Sequence, residues 1–121
     1  MSSAEHDRRI DYIEFSVTNV PEAKRFYGEA FGWSFEDYGP EYASFADGRL
    51  SGGFQTVSRV ATGGPLVVIY AFDLEAQERR VKQAGGAIVR AIFSFPGGRR
   101  FHFTDPSGNE LAVWSDTNGE R

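Results

Sequence analysis

Between Ile10 and Val17 the chain alternates: Ile13, Phe15 and Val17 are apolar, and Tyr12, Glu14 and Ser16 between them carry polar groups. Alternate residues of a strand point to opposite faces, so this segment reads as a strand with one apolar face. Asn19-Val20-Pro21-Glu22 follows, and it reads as a helix start. Asn is a favoured N-cap, and Glu three residues on completes a capping-box pattern. Pro is tolerated in the first turn, where its missing N–H had no partner. Ala23, Phe26, Tyr27, Ala30 and Phe31 then recur at helical spacing, and Gly32 stands where a helix ends in a left-handed residue.

The pattern returns 54 residues later. Val67, Ile69 and Ala71 take the places of Ile13, Phe15 and Val17 within a strand over 66–71. Asp73 takes the place of Asn19 and caps a second helix through Leu74, Val81 and Ala84, closed by Gly85-Gly86. After each helix come short β-prone stretches, at 34–38, 42–45 and 49–57 and again at 88–93, 100–103 and 109–115. Gly39-Pro40, Asp47-Gly48, Pro96-Gly97-Gly98 and Asp105-Pro106-Ser107-Gly108 mark the turns. The chain therefore reads as strand-helix-strand-strand-strand, twice: an α+β protein with modules at about 8–61 and 65–116, joined at Thr62-Gly63-Gly64-Pro65. Each half is too small to bury its own sheet well, so the two should pack as one domain over 1–121.

Composition narrows the function classes. The chain has 121 residues, 40% hydrophobic and 25% charged, ordinary values for a soluble globular domain. No apolar run approaches a membrane span, and residues 1–9 are too polar for a secretory signal, so the expected compartment is the cytoplasm. Without Cys there is no disulfide, thiolate metal site or Cys nucleophile. A net charge of −4 argues against nucleic acid, whose phosphates require a basic face. The pair Arg99-Arg100, after Gly97-Gly98, reads as a solvated loop or as a grip for one anion.

Three motifs fall in order along the repeat: AKRFYGEAFGW at 23–33, Asp73 with Gly85-Gly86, and Asp105-Pro106-Ser107-Gly108-Asn109-Glu110-Leu111. This arrangement resembles the vicinal oxygen chelate superfamily, which includes glyoxalases, extradiol dioxygenases and bleomycin-resistance proteins. The resemblance covers about residues 8–116. It implies two βαβββ modules forming a cupped mixed sheet with helices on the outside, a site inside the cup, and a homodimer. Exposed sheet edges and an apolar rim point to a dimer as well.

The resemblance also implies four metal-ligand positions, which fall on Tyr12, Gly52, Leu66 and Ala112. None offers the imidazole or carboxylate that a divalent cation needs, and the chain has only two His, His6 and His102. The expectation is a cup without metal or other cofactor. By strand parity Glu14 and Ser16 share the face of Tyr12, and Leu50 and Phe54 that of Gly52. Val68 and Tyr70 go with Leu66, and Glu110 and Trp114 with Ala112. This is a mostly apolar hollow suited to a small organic ligand, unless Phe54 and Trp114 fill it as core. Trp33 sits at the rim or anchors the core.

Glu14 is the candidate acid/base, together with Tyr12. An apolar cup would raise its pKa, whereas pairing with Arg100 or solvation would leave it charged. His102 lies between Phe101 and Phe103; if those two face the core, Arg100 and His102 face away. Three functional readings follow. One is a metal-free protein binding a small, partly aromatic molecule, with Phe54, Val68, Tyr70, Trp114, Gly52, Ala112 and Leu66 around it. Another is a metal-independent lyase or isomerase using Glu14 and Tyr12. The third is a metal-dependent lyase or dioxygenase whose ligands lie in a shifted register.

Overall fold

The computed structural model describes residues 7–116. The first half contains β1 (Tyr12–Val17), α1 (Val20–Phe31), β2 (Ser34–Asp37), β3 (Tyr42–Ala46) and β4 (Ser51–Thr56). The second contains β5 (Val67–Tyr70), α2 (Leu74–Gln83), β6 (Ala87–Phe95), β7 (Gly98–Thr104) and β8 (Glu110–Ser115).

Both helices start where their caps dictate. Asn19 is extended, and its side chain accepts from the Glu22 N–H at 2.8 Å. Asp73 does the same for Ala76 at 3.0 Å. Each cap satisfies an N–H that has no partner inside the helix. Gly32 ends α1 at φ 75°, a conformation that a Cβ would strain, and its N–H bonds to the Gly28 carbonyl at 2.9 Å.

The strands form two four-stranded mixed sheets, ordered β1-β4-β3-β2 and β5-β8-β7-β6. In each sheet the first strand pairs in parallel with the last, and the remaining pairs are antiparallel. Each sheet buries one face under helices. Phe15, Val17, Ala43, Phe45 and Phe54 come inward from the first, and Phe101, Phe103, Leu111 and Val113 from the second. These join Ala23, Phe26, Tyr27 and Ala30 of α1 and Leu74 and Val81 of α2 in one core. The Phe103 ring lies 6.0 Å from Phe26 and 5.8 Å from Phe31, so the modules share that core. Each such ring removed from water is worth roughly 1.5–3 kcal/mol. Trp33 stacks between Tyr27 (4.7 Å) and Phe45 (4.5 Å) and is a core anchor.

Polar contacts fasten the modules reciprocally. Gln77 on α2 donates to the Ala30 carbonyl near the end of α1, at 2.7 Å. Arg25 on α1 donates to the Ala84 carbonyl at the end of α2, at 3.0 Å. Each helix thus supplies a donor for a C-terminal carbonyl of the other, which would otherwise lack a partner. With one face of each sheet committed to this core, the opposite faces are left open.

Candidate functional site

On the first sheet, the register sets Tyr12 opposite Ser51, Ile13 opposite Gly52 and Glu14 opposite Gly53. Ser44 of β3 lies on the other side of Gly53. Gly53 has no side chain, and the Tyr12 and Tyr42 hydroxyls occupy the space that its Cβ would take. Those hydroxyls are 2.6 Å apart, and Tyr42 donates to Glu14 Oε2 at 2.9 Å. A phenol has one proton. With the Tyr42 proton on Glu14, the short contact requires Tyr12 to donate to Tyr42, leaving lone pairs on Tyr12 to accept from a ligand. Burial first, then the bonds to Tyr12 and Glu14, raise the Tyr42 pKa well above its ordinary value, so this phenol acts as a donor. The Tyr12 end of this chain borders an open concavity of about 630 Å³, lined also by the polar Ser34, Glu36, Tyr38, Ser44 and Ser51 and by Phe35, Phe45 and Ala46.

This face corrects two assignments. Gly52 and Phe54 were expected on the open face, and both lie on the helix side. Phe54 is fully buried, 5.3 Å from the Tyr27 ring, and a Cβ on Gly52 would strike the Ile13 carbonyl and the Phe45 ring. The large apolar Phe54 is drawn into the core, and this sets the parity of β4 one residue from that expected. The open face of this sheet is consequently polar rather than aliphatic. Glu14 has Tyr42, not Arg100, as its partner.

On the second sheet Val68 pairs with Ala112 and Tyr70 with Trp114. Leu66, Val68 and Tyr70 are exposed, Trp114 is half-buried and Ala112 is buried. The Tyr70 hydroxyl donates to Asp116 at 2.8 Å, and this bond is the main cause of its raised pKa. Phe101 and Phe103 enter the core, so Arg100 and His102 take the open face, beside Trp114 and Ala112 respectively. His102 Nδ1 lies 2.8 Å from Glu110 Oε2.

Arg99 and Arg100 do not form a loop pair. They are consecutive residues of β7 and point to opposite faces. Arg99 binds both carboxylate oxygens of Glu75 on α2, at 2.5 and 3.2 Å, and the bond lowers the Glu75 pKa. Sequence reasoning also missed Tyr42, Arg90 and Phe93. Arg90 places its guanidinium 3.7 Å from the centre of the Phe93 ring.

The family's metal positions do not fit a divalent cation here. Of the positions that the resemblance implies, Tyr12, Leu66 and Ala112 present a phenol and two alkyl groups, and on β4 neither Gly52 nor Gly53, the one that faces the Tyr12 hydroxyl, has a side chain to offer. Among the described residues there is no group of three or more His, Cys, Asp or Glu able to hold a metal ion. His6 and most of the polar N-terminal stretch lie outside the described residues. Among those described, no helix is long and apolar enough to cross a membrane.

Known proteins show the same frame. A protein of Mycolicibacterium smegmatis, itself uncharacterized, is 29% identical over 112 residues, covering 90% of this chain and 95% of that one. A glyoxalase-related enzyme from Fulvimarina pelagi superposes with a TM-score of 0.77 at 21% identity, over 89% of this chain and 88% of that one. A lactoylglutathione lyase from Agrobacterium tumefaciens superposes with a TM-score of 0.71 at 17% identity, over 89% and 93%. At these identities the structures establish the fold. The sequence pattern of the Glyoxalase/Bleomycin resistance protein/Dioxygenase superfamily matches residues 9–113, and the chain belongs to that superfamily.

Proposed function

We propose that this chain is a metal-independent member of the superfamily that binds a small, partly aromatic organic molecule on its open sheet faces, as a homodimer. The observation that carries this reading is the Tyr12–Tyr42–Glu14 hydrogen-bonded chain above Gly53, on the face where relatives of this family would place metal ligands. It offers a hydroxyl or amine of the ligand an acceptor at Tyr12, backed by a carboxylate two bonds away. Few, convergent polar groups on a concave surface are how small-molecule sites fix orientation. The same chain supports a second reading, a lyase or isomerase in which Glu14 takes a proton and Tyr12 returns one. The Tyr42 bridge links the two groups that such chemistry would use.

Elemental analysis of protein purified without chelators tests metal independence. Metal well below one ion per chain is expected, with melting unmoved by added zinc, nickel, manganese or ferrous ion; stoichiometric metal overturns the reading. Ligand-observed NMR with a set of catechols, naphthols and anilines then compares wild type, Tyr12→Phe and Glu14→Gln. Weaker binding in the variants is expected. Unchanged binding and unchanged melting in both would show that this face is not the site.

A further inference from the structure

We infer that the open face of the second sheet is a site for a planar aromatic acid, with Arg90 and Arg100 meeting the acid group and Phe93, Phe95 and Trp114 stacking on the ring. The inference rests on the small-molecule reading and names the chemical class of the ligand.

Cross-strand pairing gathers these residues: Arg90 opposite His102, Phe93 opposite Arg100, and Arg100 opposite Trp114. The Arg90 guanidinium lies 3.7 Å from the Phe93 ring centre, and that of Arg100 lies 5.4 Å from Phe93 and 5.7 Å from Phe95. Among the described residues neither guanidinium forms an ion pair. His102 is only 7% exposed, and its Nε2 is buried without a hydrogen-bond partner, as is Arg100 Nε. Among the described residues two carboxylates are bonded to this surface, Glu110 on the His102 ring and Asp116 on the Tyr70 hydroxyl.

Two permanent cations outside any ion pair thus share a surface with an imidazole and two carboxylates that bond elsewhere on it, in a chain whose net charge is −4. Ring contacts offset the charge of such guanidiniums only in part. A carboxylate or sulfonate would accept charge-assisted bonds from the guanidiniums, whose planar fork matches its geometry. Beside them the Phe95 and Trp114 rings, 6.3 Å apart, and Tyr70, 5.5 Å from Trp114, extend an aromatic surface for the ligand's flat body.

The test is calorimetric titration with 1-naphthoate and with 1-naphthylmethylamine, which pairs the same ring with the opposite charge. Wild type should bind naphthoate saturably and the amine not at all. Arg90→Gln and Arg100→Gln should each weaken naphthoate roughly tenfold, the loss of one charge-assisted contact. Arg90 is exposed, so Arg90→Gln decides the matter should Arg100→Gln fail to fold. No saturable naphthoate binding, or binding unchanged in a folded variant, overturns the inference. Equal binding of the amine, weakened by Tyr12→Phe, overturns the anion assignment while the small-molecule reading stands. If the Arg variants instead turn a dimer into a monomer by light scattering and leave naphthoate unaffected, these arginines hold a second copy and the inference falls.

Discussion

Tyr27 of α1 donates its hydroxyl proton to Asp105 Oδ2, 2.8 Å away across 78 residues of sequence. Asp105 is 4% exposed. It also accepts from the Ser107 N–H at 3.0 Å, the Asn109 N–H at 2.9 Å and the Asn109 amide at 3.1 Å. Asn109 then donates to the Ser16 carbonyl on β1, at 2.8 Å. The Asp-Pro-Ser-Gly-Asn turn is therefore a fastener between the modules, and its carboxylate is buried because donors from both sides surround it. Tyr27→Phe and Asp105→Asn should each lower stability by about 1–3 kcal/mol, since each leaves buried polar groups short of a partner. Urea midpoints unmoved from wild type would contradict this.

The same pair sets an alkaline limit. Burial, and secondarily the Asp105 charge, pushes the Tyr27 phenol well above its ordinary value. The folded protein holds that proton more tightly than the unfolded chain, whose phenol ionises near pH ~10. The stabilisation is thus fully present below about pH 10 and is lost as pH rises toward the folded value, by up to ~1.4 kcal/mol per pH unit for this group. Tyr42 and Tyr70 act in the same direction. Urea midpoints followed from about pH 8 to about pH 11 should fall, and less steeply in Tyr27→Phe, by close to one proton. Equal slopes in the two proteins would remove Tyr27 as the cause.

The repeat was legible because caps and periodicity are local: Asn19 and Asp73 act within four residues, and so do the helix stripes. The site was less legible, because its geometry is made between strands. Tyr42 meets Glu14 across an intervening strand, in a gap that exists only because Gly53 lacks a side chain. Two consecutive glycines carry no hydrophobic pattern, so the parity of β4 rests on Phe54 alone. On β6, Arg90 and Phe93 are three residues apart, and strict alternation would place them on opposite faces. The strand breaks register between Ile88 and Arg90 and again between Arg90 and Phe93, which brings the two together.

An edge strand supports the dimer. Among the described residues β5 pairs with β8 alone, and Val68 and Tyr70 on it, with the flanking Leu66 and Phe72, are 40–49% exposed. An unpaired edge with a continuous apolar surface is normally covered or charged. Light scattering at micromolar concentration should give the mass of two chains. Val68→Lys, which puts a charge on that edge, should give one. A monomeric wild type would count against the dimer.

The register of β4 can be read out with two neighbouring alanines. A Cβ on Gly52 would meet the Ile13 carbonyl, which is backbone of the paired strand, and the Phe45 ring inside the core. Neither can yield without moving β1 or repacking the aromatics, so Gly52→Ala should cost about 1–3 kcal/mol, the usual penalty for overpacking. A Cβ on Gly53 would meet the Tyr12 and Tyr42 hydroxyls, the far ends of flexible side chains on an open face. Gly53→Ala should therefore fold with nearly wild-type stability, while the two phenols swing apart and the link to Glu14 is lost. A double-mutant cycle isolates that loss: the energetic coupling between Tyr12→Phe and Tyr42→Phe should be measurable in wild type and absent in Gly53→Ala. The reverse order of stabilities, with Gly53→Ala the damaging change, would mean that β4 presents the other face. The Tyr12–Tyr42–Glu14 chain would then not stand over Gly53.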